Sequence, residues 1–365
     1  MTLRIVLAGG GSGGHVFPLV AVAEALRREV PDTEVTFVGT ASGMEAQILP
    51  ARGERLELLE ILPIKGGGVK GAVRGATRAV GVLPESRRLI ERLRPDVVLS
   101  VGGYAGGPVG VGAYSRGVPV ALLEPNSVPG LSNRLLSPFV KRAYVVFPEA
   151  ERSFRPTTVR RLGLPLRPGF AASAYAPVEG RARVVLLGGS QGAAALNEAM
   201  PAAVAKAVAD VPHLTVLHQA GRNRGDEVRR RYEAAGVGDR VTVRDFVDDV
   251  ASELTGADVI VTRAGAGAIC EVCLVGRAAL YVPFPFAADD HQRRNAEALA
   301  AAGAGVCVRQ EEATPERLAH ELTSLLRSPD RRRSLADAAL ARGRADAATA
   351  IARDLLTIVR KPRTR

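Results

Sequence analysis

The stretch Ala8-Gly9-Gly10-Gly11-Ser12-Gly13-Gly14-His15-Val16-Phe17-Pro18 constrains this chain more than any other. An apolar run before it, Leu3 to Leu7, reads as a buried strand, and an alanine-rich segment after it, Leu19 to Leu26, reads as a helix. Strand, glycine loop and helix together form a phosphate-binding arrangement. Glycines let the backbone approach an anion, and the helix start offers N–H groups at the positive end of a dipole. Gly9, Gly11 and Gly14 also fit the dinucleotide pattern G-x-G-x-x-G, which a ligand-free turn satisfies equally well. Two features oppose a nicotinamide site. The next strand, Glu34 to Val38, runs into Gly39-Thr40 with no acid for a ribose, and the loop ends in a histidine. A titratable group beside an anion-binding loop points to chemistry there.

The chain has 365 residues, enough for two domains, and the alternation of apolar runs with helical segments recurs through both halves. The expected fold class is α/β, with two parallel sheets each flanked by helices. Strands are expected at Leu3–Leu7, Val35–Val38, Asp96–Val101, Val118–Leu123, Ala143–Phe147 and Val159–Leu162. The second half adds Val184–Leu187, Thr215–His218, Arg240–Val243, Asp258–Val261 and Ala279–Val282. Further glycine loops, Gly102–Pro108 and Gly188–Gly192, follow two of these strands, where ligands of such sheets bind. The expected division is 1–163, a linker at 164–183 rich in proline, a second domain at 184–345, and a terminal helix at 346–365 that crosses back to the first domain. Two such halves imply a cleft between them.

Net charge is +11, from 49 Lys+Arg against 38 Asp+Glu, which favours phosphorylated or membrane partners. Tryptophan is absent and aromatic residues make up 4%, so nucleic acid is the weaker choice. No apolar run reaches the roughly 18 residues of a membrane span. The start, Met1-Thr2-Leu3-Arg4, leads directly into a strand, so a cytoplasmic protein without signal peptide is expected. Cys270, Cys273 and Cys307 suggest small buried residues rather than a disulfide or metal framework. His213, His218 and His320 read as structural.

More specific signals follow. Glu124-Pro125-Asn126 and Gly130-Leu131-Ser132-Asn133 come after one strand. Arg263-Ala264-Gly265-Ala266-Gly267-Ala268-Ile269-Cys270-Glu271 comes after another, and His291-Gln292-Arg293-Arg294-Asn295 opens a helix. With the G-G-x-G-G-H-x-x-P and G-G-S-Q-G loops and Asn197, this set resembles the MurG family of membrane-associated N-acetylglucosaminyltransferases over most of the chain. The resemblance implies the GT-B fold, two Rossmann-like domains, and transfer of N-acetylglucosamine from UDP-N-acetylglucosamine to the 4-hydroxyl of the N-acetylmuramic acid of lipid I. The transfer inverts the anomeric centre and yields lipid II for peptidoglycan synthesis. It implies donor contacts at Arg167, Ser190, Gln191, Phe246, Val247, Arg263, Ala268, Glu271, Gln292 and Asn295, with His291 beside them. It implies acceptor contacts at Ser12, Gly13, Gly14, Tyr104, Asn126 and Asn133, with catalytic roles for His15 and Glu124. His15 is either the base for the acceptor hydroxyl or a donor to the acceptor diphosphate, and Glu124 either orients it or binds acceptor. Neither a cofactor nor a metal is required. Asp248-Asp249 and Asp289-Asp290 are adjacent pairs that need not converge on a cation.

The chain departs from the family pattern at Leu123, Pro125, Leu164, Ala264 and Ala268, where a histidine, a glutamine, an asparagine, a serine and a threonine are usual. Lost neutral hydrogen bonds of roughly 0.5–1.5 kcal/mol each would weaken donor binding without abolishing activity. A UDP-N-acetylglucosamine 2-epimerase, which shares the fold, is the alternative. The lipid-linked acceptor implies a peripheral enzyme on the cytoplasmic face of the inner membrane, touching an anionic surface. The expected contact is Lys65 to Leu83, where Val69, Val73, Ala76, Val80 and Leu83 share one helical stripe and Lys70, Arg74 and Arg78 a basic one, a pattern that equally fits an apolar stripe packed on the sheet beside a solvated basic one. Gly71, Gly75 and Gly81 are expected to break part of that helix into loop.

Overall fold

A computed structural model describes residues 2–11, 13–60, 69–189 and 191–360, with the backbone alone at 69–80. Two compact units emerge. The first comprises Met1–Arg167 and Asp346–Arg365, the second Pro168–Ala345.

The first unit runs β1 (Arg4–Ala8), α1 (Gly13–Glu29), β2 (Glu34–Thr40), α2 (Glu45–Ala51), β3 (Leu56–Leu59), α3 (Val69–Leu93) and β4 (Val97–Ser100). It continues α4 (Gly103–Ser115), β5 (Val120–Glu124), α5 (Leu131–Leu136), β6 (Arg142–Val145), α6 (Pro148–Glu151) and β7 (Val159–Arg161). Its sheet order is β3-β2-β1-β4-β5-β6-β7, parallel throughout the described residues. The order reverses between β1 and β4, and at that switch the carboxyl ends of neighbouring strands leave a crevice for ligands.

The second unit runs β8 (Ala182–Leu187), α7 (Ala194–Asp210), β9 (Leu214–Gln219), α8 (Gly225–Ala234), β10 (Val241–Arg244), α9 (Val250–Thr255) and β11 (Val259–Thr262). It ends with α10 (Ala266–Val275), β12 (Ala278–Tyr281), α11 (His291–Ala301), β13 (Val306–Cys307), α12 (Pro315–Leu326) and α13 (Pro329–Arg342). Its parallel sheet is ordered β10-β9-β8-β11-β12-β13, with the switch between β8 and β11. A last helix, α14 (Ala347–Thr357), belongs to the first unit.

The cores follow from strands apolar on both faces. Val97, Val98 and Leu99 are fully buried, as are Val259, Ile260 and Val261. Strands covered by helices on both sides read as unbroken apolar runs. Each such aliphatic side chain contributes about 1.5–3 kcal/mol by leaving water.

Several expectations need correction. The helix expected from Leu19 begins at Gly13 and carries Pro18 inside it, so His15 lies in its first turn. Proline at the sixth position forfeits a single helical N–H bond, which the first turns tolerate. The second glycine loop is also mostly helix, because α4 begins at Gly103. Its glycines serve close packing: a Cβ at Gly106 would stand 2.5 Å from Ser100 Oγ, and one at Gly110 would stand 2.5 Å from Leu136 Cδ2. The break expected in the Lys65–Leu83 region is absent from Val69 onward, where α3 continues to Leu93 through Gly71, Gly75 and Gly81. Lys65 and the side chains of Lys70, Arg74 and Arg78 lie outside the described residues. As expected, a separate terminal helix follows, parted from α13 at Gly343, where a Cβ would stand 2.9 Å from the Cys273 carbonyl oxygen.

From 162 to 181 no helix or strand forms. The later part of this segment is tied to the second unit. Tyr175 donates to Asp258 at 2.9 Å and accepts from Arg332 at 2.7 Å, and Arg277 donates to the Ser173 carbonyl at 2.9 Å.

Candidate active site

In the first unit the loops after β1, β4 and β5 meet. Gly9 and Gly11 adopt positive φ (150° and 95°), and a Cβ at Gly9 would collide with Val101. Gly103, at φ 70°, brings the start of α4 beside the first loop. A Cβ there would lie 3.2 Å from the Gly10 carbonyl oxygen and 3.6 Å from His15 Nδ1. His15 Nδ1 lies 2.9 Å from the Gly10 carbonyl oxygen. A carbonyl only accepts, so Nδ1 carries a proton, and in the neutral imidazole Nε2 keeps the lone pair. The orienting partner at Nδ1 is therefore this carbonyl.

Gly102 leads from β4 toward α5, since a Cβ on it would stand 2.9 Å from Asn133 Oδ1. Asn133 is buried, and its Nδ2 donates to Glu124 Oε2 at 2.8 Å and to the Leu123 carbonyl at 3.2 Å. Glu124 also accepts from the Asn126 backbone at 2.9 Å, the Asn126 side chain at 3.3 Å and the Gly130 N–H at 3.2 Å. Burial pushes its pKa up to about 7 against the lowering effect of these donors, Asn133 foremost. Four donors fill the acceptor sites of one carboxylate, so Glu124 shapes the loop that carries Asn126 and Asn133. Tyr104, in the first turn of α4, is exposed. Gly13 and Gly14 open α1, whereas Ser12 lies outside the described residues.

Sequence reasoning missed Glu45. Its buried side chain accepts the Gly11 N–H at 2.7 Å, so this donor of the first glycine loop is taken by the chain itself. The signal was present in the spacing Gly39-Thr40-x-x-Gly43-Met44-Glu45, whose glycines make room for the carboxylate.

In the second unit the loop after β8 is held from β9. Gln219 donates to the Gly189 carbonyl at 3.0 Å, and Asn197 donates to the Ala220 carbonyl at 2.8 Å. His218, fully buried, bridges Asn197 Oδ1 (3.0 Å) and Tyr232 OH (2.9 Å). Burial lowers its pKa to about 3, so it is a neutral structural imidazole. His213 and His320, by contrast, are exposed. Gln191 is exposed beside this loop, and Ser190 lies outside the described residues.

Arg263, just past β11, donates to the Val282 carbonyl (3.0 Å) and Gln310 Oε1 (2.8 Å), with its guanidinium 5.6 Å from the Phe284 ring centre. Burial lowers its pKa from the usual value. Gln292 Oε1 accepts from the Ala264 N–H (3.2 Å) and the Phe284 N–H (3.0 Å). Asn295 is fully buried, with Nδ2 3.4 Å from the Ala264 carbonyl. In this position it braces the Ala264 loop. Ala268 and Glu271 lie in the first two turns of α10, both partly exposed. Phe246 is exposed and Val247 buried, so of this pair only Phe246 offers a side chain to a ligand. His291 Nδ1 lies 2.7 Å from the Ala288 carbonyl oxygen, and Arg167 is exposed. Among the described residues no cluster of three or more His, Cys, Asp or Glu could hold a metal.

Two doubly wound parallel units, each with polar groups gathered at the carboxyl ends of its strands, define the GT-B class of glycosyltransferase folds. Profiles of the glycosyltransferase family 28 N-terminal and C-terminal domains match residues 5–145 and 183–351. The chain belongs to glycosyltransferase family 28. It is 53% identical over 365 residues to a UDP-N-acetylglucosamine–N-acetylmuramyl-(pentapeptide) pyrophosphoryl-undecaprenol N-acetylglucosamine transferase of Sorangium cellulosum, covering 100% of this chain and 90% of the relative. The crystal structure of Acinetobacter baumannii MurG superposes with a TM-score of 0.81 at 28% identity, covering 97% of this chain and 99% of that one. A UDP-GlcNAc 2-epimerase from Neisseria meningitidis has a TM-score of 0.67 at 12% identity, with 97% and 100% covered, a likeness of fold alone.

Proposed function

We infer that this chain transfers N-acetylglucosamine from UDP-N-acetylglucosamine to the 4-hydroxyl of the N-acetylmuramic acid of lipid I, with inversion, giving lipid II. The observation that carries the reading is that Gly102 and Gly103 join the His15 loop to the Asn133–Glu124 pair, in a chain 53% identical over its whole length to a transferase of that name. His15 takes the acceptor proton at Nε2, the nitrogen left with the lone pair. Tyr104 and Asn126 face acceptor, and Glu124 holds their neighbourhood in shape. Glu271 accepts the donor ribose hydroxyls, and Phe246 flanks the uracil. Gln292 reaches the sugar, while Asn295 acts through Ala264. The departing diphosphate is stabilised by the start of α10, whose N-cap Gly265 makes no side-chain capping bond, and by Arg263.

The acceptor is lipid-linked, so the chain meets it at a membrane surface. Among the described residues no helix is long and apolar enough to cross one. An apolar patch is present in the first unit. Leu131, Tyr114, Phe139 and Leu135 are exposed, with the rings of Tyr114 and Phe139 4.8 Å apart. Exposed Arg134, Lys141 and Arg155 lie along the same segments, and Arg155 bonds the Pro138 carbonyl. Apolar and aromatic side chains among basic ones suit an interfacial, peripheral association with anionic lipid on the cytoplasmic face.

The deciding experiment supplies labelled UDP-N-acetylglucosamine with and without a short-chain lipid I analogue. Label is expected in the acceptor product only when both are present. Conversion of the donor to its 2-epimer without acceptor would instead establish the epimerase.

A further inference from the structure

Glu45 opens α2 with its carboxylate fully buried beneath the first glycine loop. Oε2 accepts the Gly11 N–H at 2.7 Å, and Oε1 accepts the Thr40 N–H at 2.8 Å and the Thr40 hydroxyl at 3.0 Å. Three glycines leave it space. A Cβ at Gly10, Gly39 or Gly43 would stand 2.0, 2.4 or 2.2 Å from its atoms. A buried acid for which three backbone positions are kept bare is a built feature of the loop.

The Gly11 N–H belongs to the same planar peptide group as the Gly10 carbonyl. That carbonyl is the group His15 Nδ1–H bonds at 2.9 Å. Glu45 and His15 therefore hold opposite ends of one peptide. A carboxylate on the N–H polarises the unit and makes its oxygen a stronger acceptor. In many sites an acid fixes a histidine tautomer by direct contact. Here a peptide stands between them.

We propose that Glu45 is a positioning residue for His15, acting through the Gly10–Gly11 peptide to keep the imidazole in its Nδ1–H tautomer with the lone pair on Nε2. Its catalytic consequence rests on the reading of His15 as base, whereas its effect on the tautomer does not.

The test uses the full chain labelled with ¹⁵N-histidine. The wild-type His15 signal is expected to be that of the Nδ1–H tautomer, with a slowly exchanging Gly11 amide. Glu45→Gln is isosteric but sets an amide NH₂ against either the Gly11 or the Thr40 donors. It should move His15 toward a mixture of tautomers and lower kcat at least ~10-fold, with donor KM within about twofold. Thr40→Val removes the hydroxyl donor alone and should leave the tautomer unchanged. A folded Glu45→Gln protein with the wild-type tautomer would overturn the proposal. If Glu45→Gln does not fold, the wild-type spectrum decides: an Nε2–H His15 overturns it, and an Nδ1–H His15 with a protected Gly11 amide upholds it. A mixed tautomer with undiminished kcat upholds the role of Glu45 and removes His15 as the base.

Discussion

Glu124 is a buried acid whose ionised form is disfavoured by burial more than its hydrogen-bond donors favour it. Its pKa of about 7 in the folded chain stands above the reference of 4.5, so the folded state binds this proton more tightly than the unfolded chain does. Its contribution to stability is therefore complete below about pH 4.5 and is lost as pH rises through about 7, amounting to roughly 3 kcal/mol. Replacing Glu124 by Gln removes this titration, so the unfolding free energy of that variant should vary less between pH 4.5 and 7. Denaturant unfolding across the range measures it. Asn133→Ala removes a donor that lowers the pKa, so the carboxyl midpoint, followed by ¹³C NMR, should move above 7; a downward shift would contradict the arrangement. A second pair of variants separates chemistry from binding. His15→Ala should lower kcat by ~10²-fold with the donor KM nearly intact. Glu271→Ala should raise the donor KM at least ~10-fold, the loss of charge-assisted bonds of about 1.5–3 kcal/mol, in steady-state kinetics with varied UDP-sugar. At this scale the family resemblance singled out His15, Glu124 and Asn133, and the last two prove to be hydrogen-bonded to each other. Glu45 escaped it because its partners are backbone groups: Gly11 is 34 residues away, and a backbone N–H leaves no trace in residue type. Asn295 was legible as a polar position, but its burial was not.

Among elements, α4 shows what its glycines are for. Alanine normally improves a helix by about 1 kcal/mol over glycine. At Gly106 the added carbon meets Ser100 Oγ at 2.5 Å and the Ala8 carbonyl oxygen at 3.3 Å, and Ser100 Oγ also accepts the Gly102 N–H. Gly106→Ala should therefore destabilise the first unit by about 1–3 kcal/mol. Gly81→Ala, in α3 with nothing within 4 Å of the added carbon, should stabilise by up to about 1 kcal/mol. Thermal melting of the two variants gives opposite signs if packing rather than chain freedom explains the α4 glycine. The apolar patch belongs to the same scale. Changing Tyr114, Leu135 and Phe139 together to Ser should sharply reduce sedimentation with anionic vesicles, while transfer to a soluble acceptor analogue persists. Equal loss of both would place the patch elsewhere in the mechanism. Strand positions were legible to within about two residues. The exceptions were β3, whose apolar run is interrupted by Glu57, and β13, only two residues long. The start of α4 was misread because glycine signals a turn in sequence and a close approach in space.

At the scale of the molecule, the return of α14 completes the first unit. Ile351, Ala352 and Leu355 are fully buried, Arg142 and Tyr144 both bond Asp354 (2.8 and 2.9 Å), and Arg353 meets Glu29 at 3.0 Å. A chain ending at residue 345 would uncover those apolar contacts and leave the Tyr144 hydroxyl without its acceptor. It should show a lowered calorimetric transition for the first unit and an unchanged one for the second. This arrangement also sets an order of events during synthesis. The second unit is inserted between the body of the first and its last helix, and residues 168–345 must be made before that helix exists. At roughly 5–20 residues per second this is a wait on the order of 10–40 s. The segment that leaves the ribosome first is thus the last to be finished, because the first unit lacks the cover of α14 until the whole second unit has been made.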